Sequence, residues 1–115
     1  MGAPFVWFDL TADDGGKVGD FYRDLFGWQV GPGAGDYTAW LTHGQQPWAG
    51  VSAGGPVPAG RWVPYVVVED LDAATKQAVA LGGRVVRSRT TGPAGTSVVV
   101  ADPGDGHVAL FVPAA

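Results

Sequence analysis

Few side chains in this 115-residue chain can do chemistry, and their scarcity narrows the reading. There are two histidines, a single glutamate (Glu69) and no cysteine, which excludes disulfides, thiolate metal sites and thiol nucleophiles. His107 sits in DPGDGHVALFVP, residues 102–113, where a Gly-rich turn opens onto an apolar strand. At that rim it is either solvated polar cover or a residue that touches a ligand or transfers a proton. Asp9 lies inside the apolar run FVWFDL, where a carboxylate is costly to bury unless paired or protonated. It reads either as an acid, base or hydrogen-bond anchor for a ligand, or as a strand-end residue facing water. His43 precedes Gly44, Gln45 and Gln46 and reads as a loop residue. Arg84, Arg87 and Arg89 cluster on one short segment, a solvated strand edge in the plain reading and a phosphate or carboxylate site in the sharper one.

The elements that must position these residues follow from pattern. In DGGKVGDFYRDLF, residues 14–26, Val18, Phe21, Tyr22 and Leu25 repeat at helical spacing. In DLDAATKQAVALGG, residues 70–83, Leu71, Ala74, Ala78 and Leu81 make a similar stripe, with Asp70 as N-cap and Gly82 and Gly83 as the stop. PFVWFDL and WVPYVVVE read as strands before the two helices. WQV, DYTAWLTH and QPWAGVSA follow the first helix; RVVRSR, TSVVVAD and HVALFV follow the second. A shift of 56 lays Asp14 on Asp70, Leu25 on Leu81, Gly27 on Gly83 and Val30 on Val86. The plan is therefore βαβββ written twice in one domain, residues 1–56 and 57–115, joined through GGPVPAG at 54–60.

At 46% hydrophobic and 16% charged residues the chain is globular. A net charge of −4 argues against a nucleic-acid partner. No apolar stretch approaches the roughly 20 residues that span a bilayer. MGAPFVWFDL has no basic leader, so a cytoplasmic location with no membrane partner is expected. GVSAG, residues 50–54, matches the G-x-S-x-G nucleophile elbow, but that elbow needs a helix at once, and Gly54, Gly55 and Pro56 cannot begin one.

The repeat, the DFYRDLFGW and VEDLDAATKQAVALGGRVV segments and the terminal DPGDGHVALF together resemble the vicinal-oxygen-chelate superfamily of glyoxalase I, bleomycin-resistance proteins and extradiol dioxygenases. The resemblance covers essentially the whole chain. It implies an α+β fold in which two tandem βαβββ modules form a curled mixed sheet around a central cleft, helices outside, commonly as a homodimer. Metal-dependent members carry His or Glu at four equivalent strand positions, or three in the dioxygenases. Carried over, those positions fall on Trp7, Val63, Ala109 and a residue within WAGVSA, a stretch with no His, Glu or Asp. No metal and no other cofactor is expected, since divalent ions need converging N and O donors at about 2 Å.

Strand alternation then names the side chains sharing a face with the vacated positions. Phe5, Trp7 and Asp9 go together, as do Val63, Tyr65 and Val67, and His107, Ala109 and Phe111; Trp48, Gly50 and Ser52 form the corresponding set of the remaining strand. Phe5, Trp7, Trp48, Tyr65 and Phe111, with Asp9, Ser52 and His107 as polar points, become the candidate ligand-binding residues. Either Tyr37 or Trp40 joins them from a neighbouring strand. Such a lining suits a hydrophobic or aromatic small molecule. Metal-independent binding, in the form of drug or natural-product sequestration, is the leading expectation. The alternative is a cofactor-free isomerase, lyase or cyclase acting on a secondary metabolite, in which Asp9 or His107 moves the proton.

Overall fold

A computed structural model describes residues 4–53 and 55–115 of the protein. Residues 1–3 of the N-terminal segment and Gly54 of the joint lie outside them. The elements run β1 (Trp7–Thr11), α1 (Gly15–Phe26), β2 (Gln29–Pro32), β3 (Tyr37–His43), β4 (Gln46–Ser52), β5 (Trp62–Val67), α2 (Leu71–Ala80), β6 (Arg84–Gly92), β7 (Gly95–Ala101) and β8 (His107–Pro113). This is the α+β plan of βαβββ written twice. No described helix is long and apolar enough to cross a membrane.

Both helices begin on the aspartates that the repeat superimposes. Asp14 accepts the Lys17 N–H and Asp70 the Ala73 N–H, each at 3.0 Å, satisfying backbone donors that a helix start leaves orphaned. Their ends differ. Gly27 closes α1 in the left-handed region (φ 71°), whereas α2 stops at Leu81 and the left-handed residue is Gly82 (φ 99°). Leu81 is consequently an exposed cap and not part of a buried stripe.

Contacts divide the molecule into a first module, Trp7–Trp62, and a second, residues 4–6 with 63–115. In the first, strand order is β2-β3-β4-β1, with β1 and β4 parallel and the other neighbours antiparallel. Leu10, Ala12, Ala39 and Val51 form the core under α1, against Val18, Tyr22, Val30 and Trp62. The buried residues of α1 itself are Gly15 and Gly19. A Cβ on Gly15 would come within 2.8 Å of Thr38, and one on Gly19 within 3.2 Å of Val30 Cγ1. The helix thus rides on its glycines, four residues apart, and turns Phe21 and Leu25 to solvent where periodicity alone buries them.

Thr11 holds the joint to this module. Its hydroxyl donates to the Pro58 carbonyl (2.6 Å) and accepts the Arg61 N–H (3.1 Å). Its backbone bonds Arg61 and Gly60 (2.9 and 2.7 Å). The contact boundary therefore falls after Trp62, later than the Gly/Pro composition suggests.

The second module repeats the scheme as β5-β8-β7-β6, with β5 and β8 parallel. Leu71 and Ala78 of α2 pack on Val98, Val100, Val108, Leu110 and Val112. Val6 donates to the Tyr65 carbonyl (2.9 Å) within this module.

Gly15→Ala should cost about 1–3 kcal/mol through overpacking against Thr38, although alanine is the better helix former. Gly16→Ala, whose Cβ meets only Asp14 Oδ1 at 3.8 Å, should be neutral or stabilising by up to ~1 kcal/mol. Urea denaturation of the pair checks this; equal effects would show that α1 does not depend on close approach.

Candidate functional site

Alternation along β1 sends Phe8 and Leu10 toward α1 and leaves Trp7, Asp9 and Thr11 on the opposite face of the first module's sheet. Asp9 is not a solvated strand end: it is buried, 6% exposed, and its Oδ1 accepts from Trp7 Nε1 (2.6 Å) and the Tyr37 hydroxyl (2.8 Å). Two hydrogen bonds converging on one oxygen offset the cost of taking the group out of water. Around it, Trp7 meets Tyr37 and Trp40 edge-on, with ring centroids 6.2 and 5.9 Å away, and Tyr37 and Trp40 lie 4.4 Å apart.

Both Tyr37 and Trp40 reach this face, where regular alternation permits only one. Tyr37 pairs with Ser52 and Ala39 with Val51, so Thr38 is a bulge that resets the phase. Beneath the rings is Gly50: a Cβ there would overlap the Tyr37 ring and come within 3.2 Å of Trp40. Parallel register places Gly50 beside Asp9 and Ser52 beside Thr11, so Ser52 shares the face at its edge. β4 ends at Ser52, Gly54 lies outside the described residues, and the next described element is the strand β5, so the helix that a nucleophile elbow needs is absent among the described residues.

The register also locates the family's metal-ligand positions. Asp9 pairs with Gly50 in the first module as Tyr65 pairs with Ala109 in the second, so Gly50 is the counterpart of Ala109. The four positions therefore carry Trp7, Gly50, Val63 and Ala109. Gly50, Val63 and Ala109 offer no side-chain donor atom, and Trp7 gives its one N–H to Asp9. Among the described residues no three His, Cys, Asp or Glu side chains gather as a metal site. The residues present do not fit the ion.

One residue expected on this face, Trp48, lies elsewhere, and another, Phe5, lies outside the strand. Trp48 is the extra residue between the Leu41–Ala49 and Thr42–Pro47 pairs. That bulge turns its ring to the helix side, against Trp28 (4.9 Å) and Phe8 (6.3 Å). There it joins an aromatic group built on Tyr22, Phe26 and Trp62. Phe5 precedes β1, which begins at Trp7, and is more than half exposed. His43 ends β3 and lines a shallow groove of about 470 Å³ with Trp28, Thr42 and Trp48.

In the second module, Val108, Leu110 and Val112 pack toward α2, leaving His107, Ala109 and Phe111 on the other face. Tyr65 meets Phe111 edge-on at 5.7 Å. His107 is buried, 8% exposed, and so is not solvated cover. Its Nδ1 lies 3.1 Å from the Asp105 carbonyl, an oxygen that can only accept, so a hydrogen bond here is donated by the ring. The turn before it closes on Asp102, whose Oδ1 accepts from the Gly104 and Gly106 amides at 2.7 and 3.0 Å. The arginines separate. Arg84 pairs with Asp105 and Arg89 with Asp72 at the surface, while half-buried Arg87 turns inward to Ser97.

Two βαβββ modules, each closed by a parallel pair between its first and last strands, define a glyoxalase-type α+β protein. The chain belongs to the glyoxalase-like domain family, whose sequence profile matches residues 6–111. It is 32% identical over 130 aligned residues to the anthracycline biosynthesis protein DnrV of Streptomyces peucetius, covering 96% of this chain and 46% of that protein. It thus spans less than half the length of this relative. A glyoxalase/bleomycin resistance protein/dioxygenase superfamily member from Vibrio splendidus shares the fold (TM-score 0.62, 14% identity, 99% of this chain and 100% of that one). So does the Mn(II)-bound glyoxalase of Novosphingobium aromaticivorans (TM-score 0.62, 14% identity, 96% of this chain and 40% of that one).

Asp9→Ala, which leaves both donors without this acceptor, should destabilise by about 2–4 kcal/mol, and Tyr37→Phe by about 1–2. In denaturant titrations the double variant should show a coupling of about 1 kcal/mol or more. Strict additivity would mean that the Tyr37–Asp9 bond contributes nothing.

Proposed function

We propose that this chain binds a flat hydrophobic or aromatic small molecule without a metal, with natural-product or drug sequestration as the biological form. The observation that carries the reading is the Trp7, Tyr37 and Trp40 ring group held around the buried Asp9 carboxylate. Aromatic faces supply sequence-fixed stacking area, and one polar point orients what stacks on them. The unsuitable side chains at all four metal positions support the metal-free part. The name of the Streptomyces peucetius relative directs the ligand class toward fused-ring aromatic natural products. Pairing of two copies belongs to the same proposal, supported by exposed Phe21, Leu25 and Phe26 on α1; sedimentation velocity giving a monomer would remove that part.

A second reading, a cofactor-free isomerase, lyase or cyclase, draws on His107, a buried imidazole at the start of β8 that would transfer the proton. If Asp9→Asn and His107→Ala leave turnover of an identified substrate unchanged, that reading ends.

Titration with a hydroxylated anthraquinone should quench tryptophan fluorescence saturably. At 100 times Kd it should stabilise the fold by about 2.7 kcal/mol. Trp40→Ala should weaken binding by roughly tenfold, equivalent to about 1.4 kcal/mol, and chelator treatment should leave it unchanged. Equal affinity in Trp40→Ala, or no saturable binding across a broad aromatic panel, overturns the proposal.

A further inference from the structure

Arg87 differs from every other described arginine of the second module. Arg84 and Arg89 are exposed and each meets an aspartate, as surface charges do. On β6, Val85 pairs with Val100 and Arg87 with Val99, so Val86 is a bulge. It turns Arg87 onto the sheet face opposite α2, the face of Val99, Ala109 and Phe111. There Nη2 donates to Ser97 Oγ at 2.6 Å, and Nε, closed to solvent, has no hydrogen-bond partner. Ser97 is itself buried and pairs across the ladder with Phe111, which meets Tyr65. The contact offered to this guanidinium is thus a neutral hydroxyl on an aromatic and aliphatic face.

A partly desolvated guanidinium with one N–H unmatched is costly, and an apolar side chain of similar length would be the more stable occupant. We propose that Arg87 and Ser97 form an oxyanion subsite that takes the carboxylate or phenolate oxygen of an aromatic ligand. Nε and Nη2 lie on one edge of the guanidinium, the edge that receives a carboxylate side-on with two N–H donors. Ser97 Oγ, engaged as acceptor, retains its proton to donate to the same oxygen. Phe111 and Tyr65 lie next along the face, where the ligand's apolar body would rest. The subsite lies wholly in the second module and stands whether or not the Asp9 face binds a ligand.

The test uses the intact chain with 1-naphthoate and its neutral counterpart 1-naphthamide, read by calorimetry. Naphthoate should bind at least tenfold more tightly than the amide, and added salt should weaken naphthoate alone. Arg87→Met should lose that preference while unfolding at an equal or higher temperature than the parent. Arg87→Lys, which keeps charge without the fork, should recover only part of the preference; Trp40→Ala should leave it intact. Equal affinity of the parent for acid and amide overturns the proposal, as does an Arg87→Met protein that keeps the preference. Should Arg87→Met not fold, the acid–amide comparison in the parent and in Arg87→Lys decides.

Discussion

A single carboxylate oxygen organises the first module. Oδ1 of Asp9 gathers an indole N–H from its own strand and a phenol from β3, and those two donors fix the attitude of the rings above Gly50. The oxygen needs both donors to be tolerable in a buried site, and the rings need it to stay in one orientation. Gly50 completes the set because any larger residue would occupy the Tyr37 ring's place. Three strands are thereby committed to one face by an interaction that contributes nothing to the core under α1.

That division of labour explains how the four positions can carry Trp7, Gly50, Val63 and Ala109 without loss of the fold. The core is assembled from Leu10, Val51 and Ala39 on one side and from Val98, Val100 and Leu110 on the other. None of them depends on what occupies the opposite faces. Trp7 donates its ring N–H to the Asp9 carboxylate, and Gly50 is the platform on which the other rings settle. Val63 and Ala109 simply become packing.

The repeat was legible because its signals are local: aspartate caps, glycine stops and apolar runs separated by turns. The phase of β1 and β8 was legible for the same reason, since neither is interrupted, and Asp9, Tyr65 and Phe111 fall on the faces that alternation assigns. Phase failed at bulges. Trp48 is displaced by a bulge that Pro47, inside a central strand, could have signalled, while Tyr37 is brought to the face of Trp40 by an extra residue, Thr38, that no residue type announces. Composition also misled: Trp28, Trp48 and Trp62 stand with Tyr22 beside α1, so only two of the five tryptophans face Asp9. The face of α1 was legible in part: Val18 and Tyr22 pack on the core, but Phe21 and Leu25 do not, because the close approach runs through Gly15 and Gly19, which carry no hydrophobic signal. Arg87 was hidden among three arginines until a bulge in β6 separated it from its neighbours.

The Thr11 knot bears on how such a chain could have arisen. Its bonds make Pro58, Gly60 and Arg61 part of the first module's fabric, and the second module begins directly after Trp62. A duplicated unit that carries its own tail in this way arrives with its exit path already anchored. The second copy then inherits a fixed point of departure, and the loop between Ser52 and Pro58 can change length without disturbing where that copy begins.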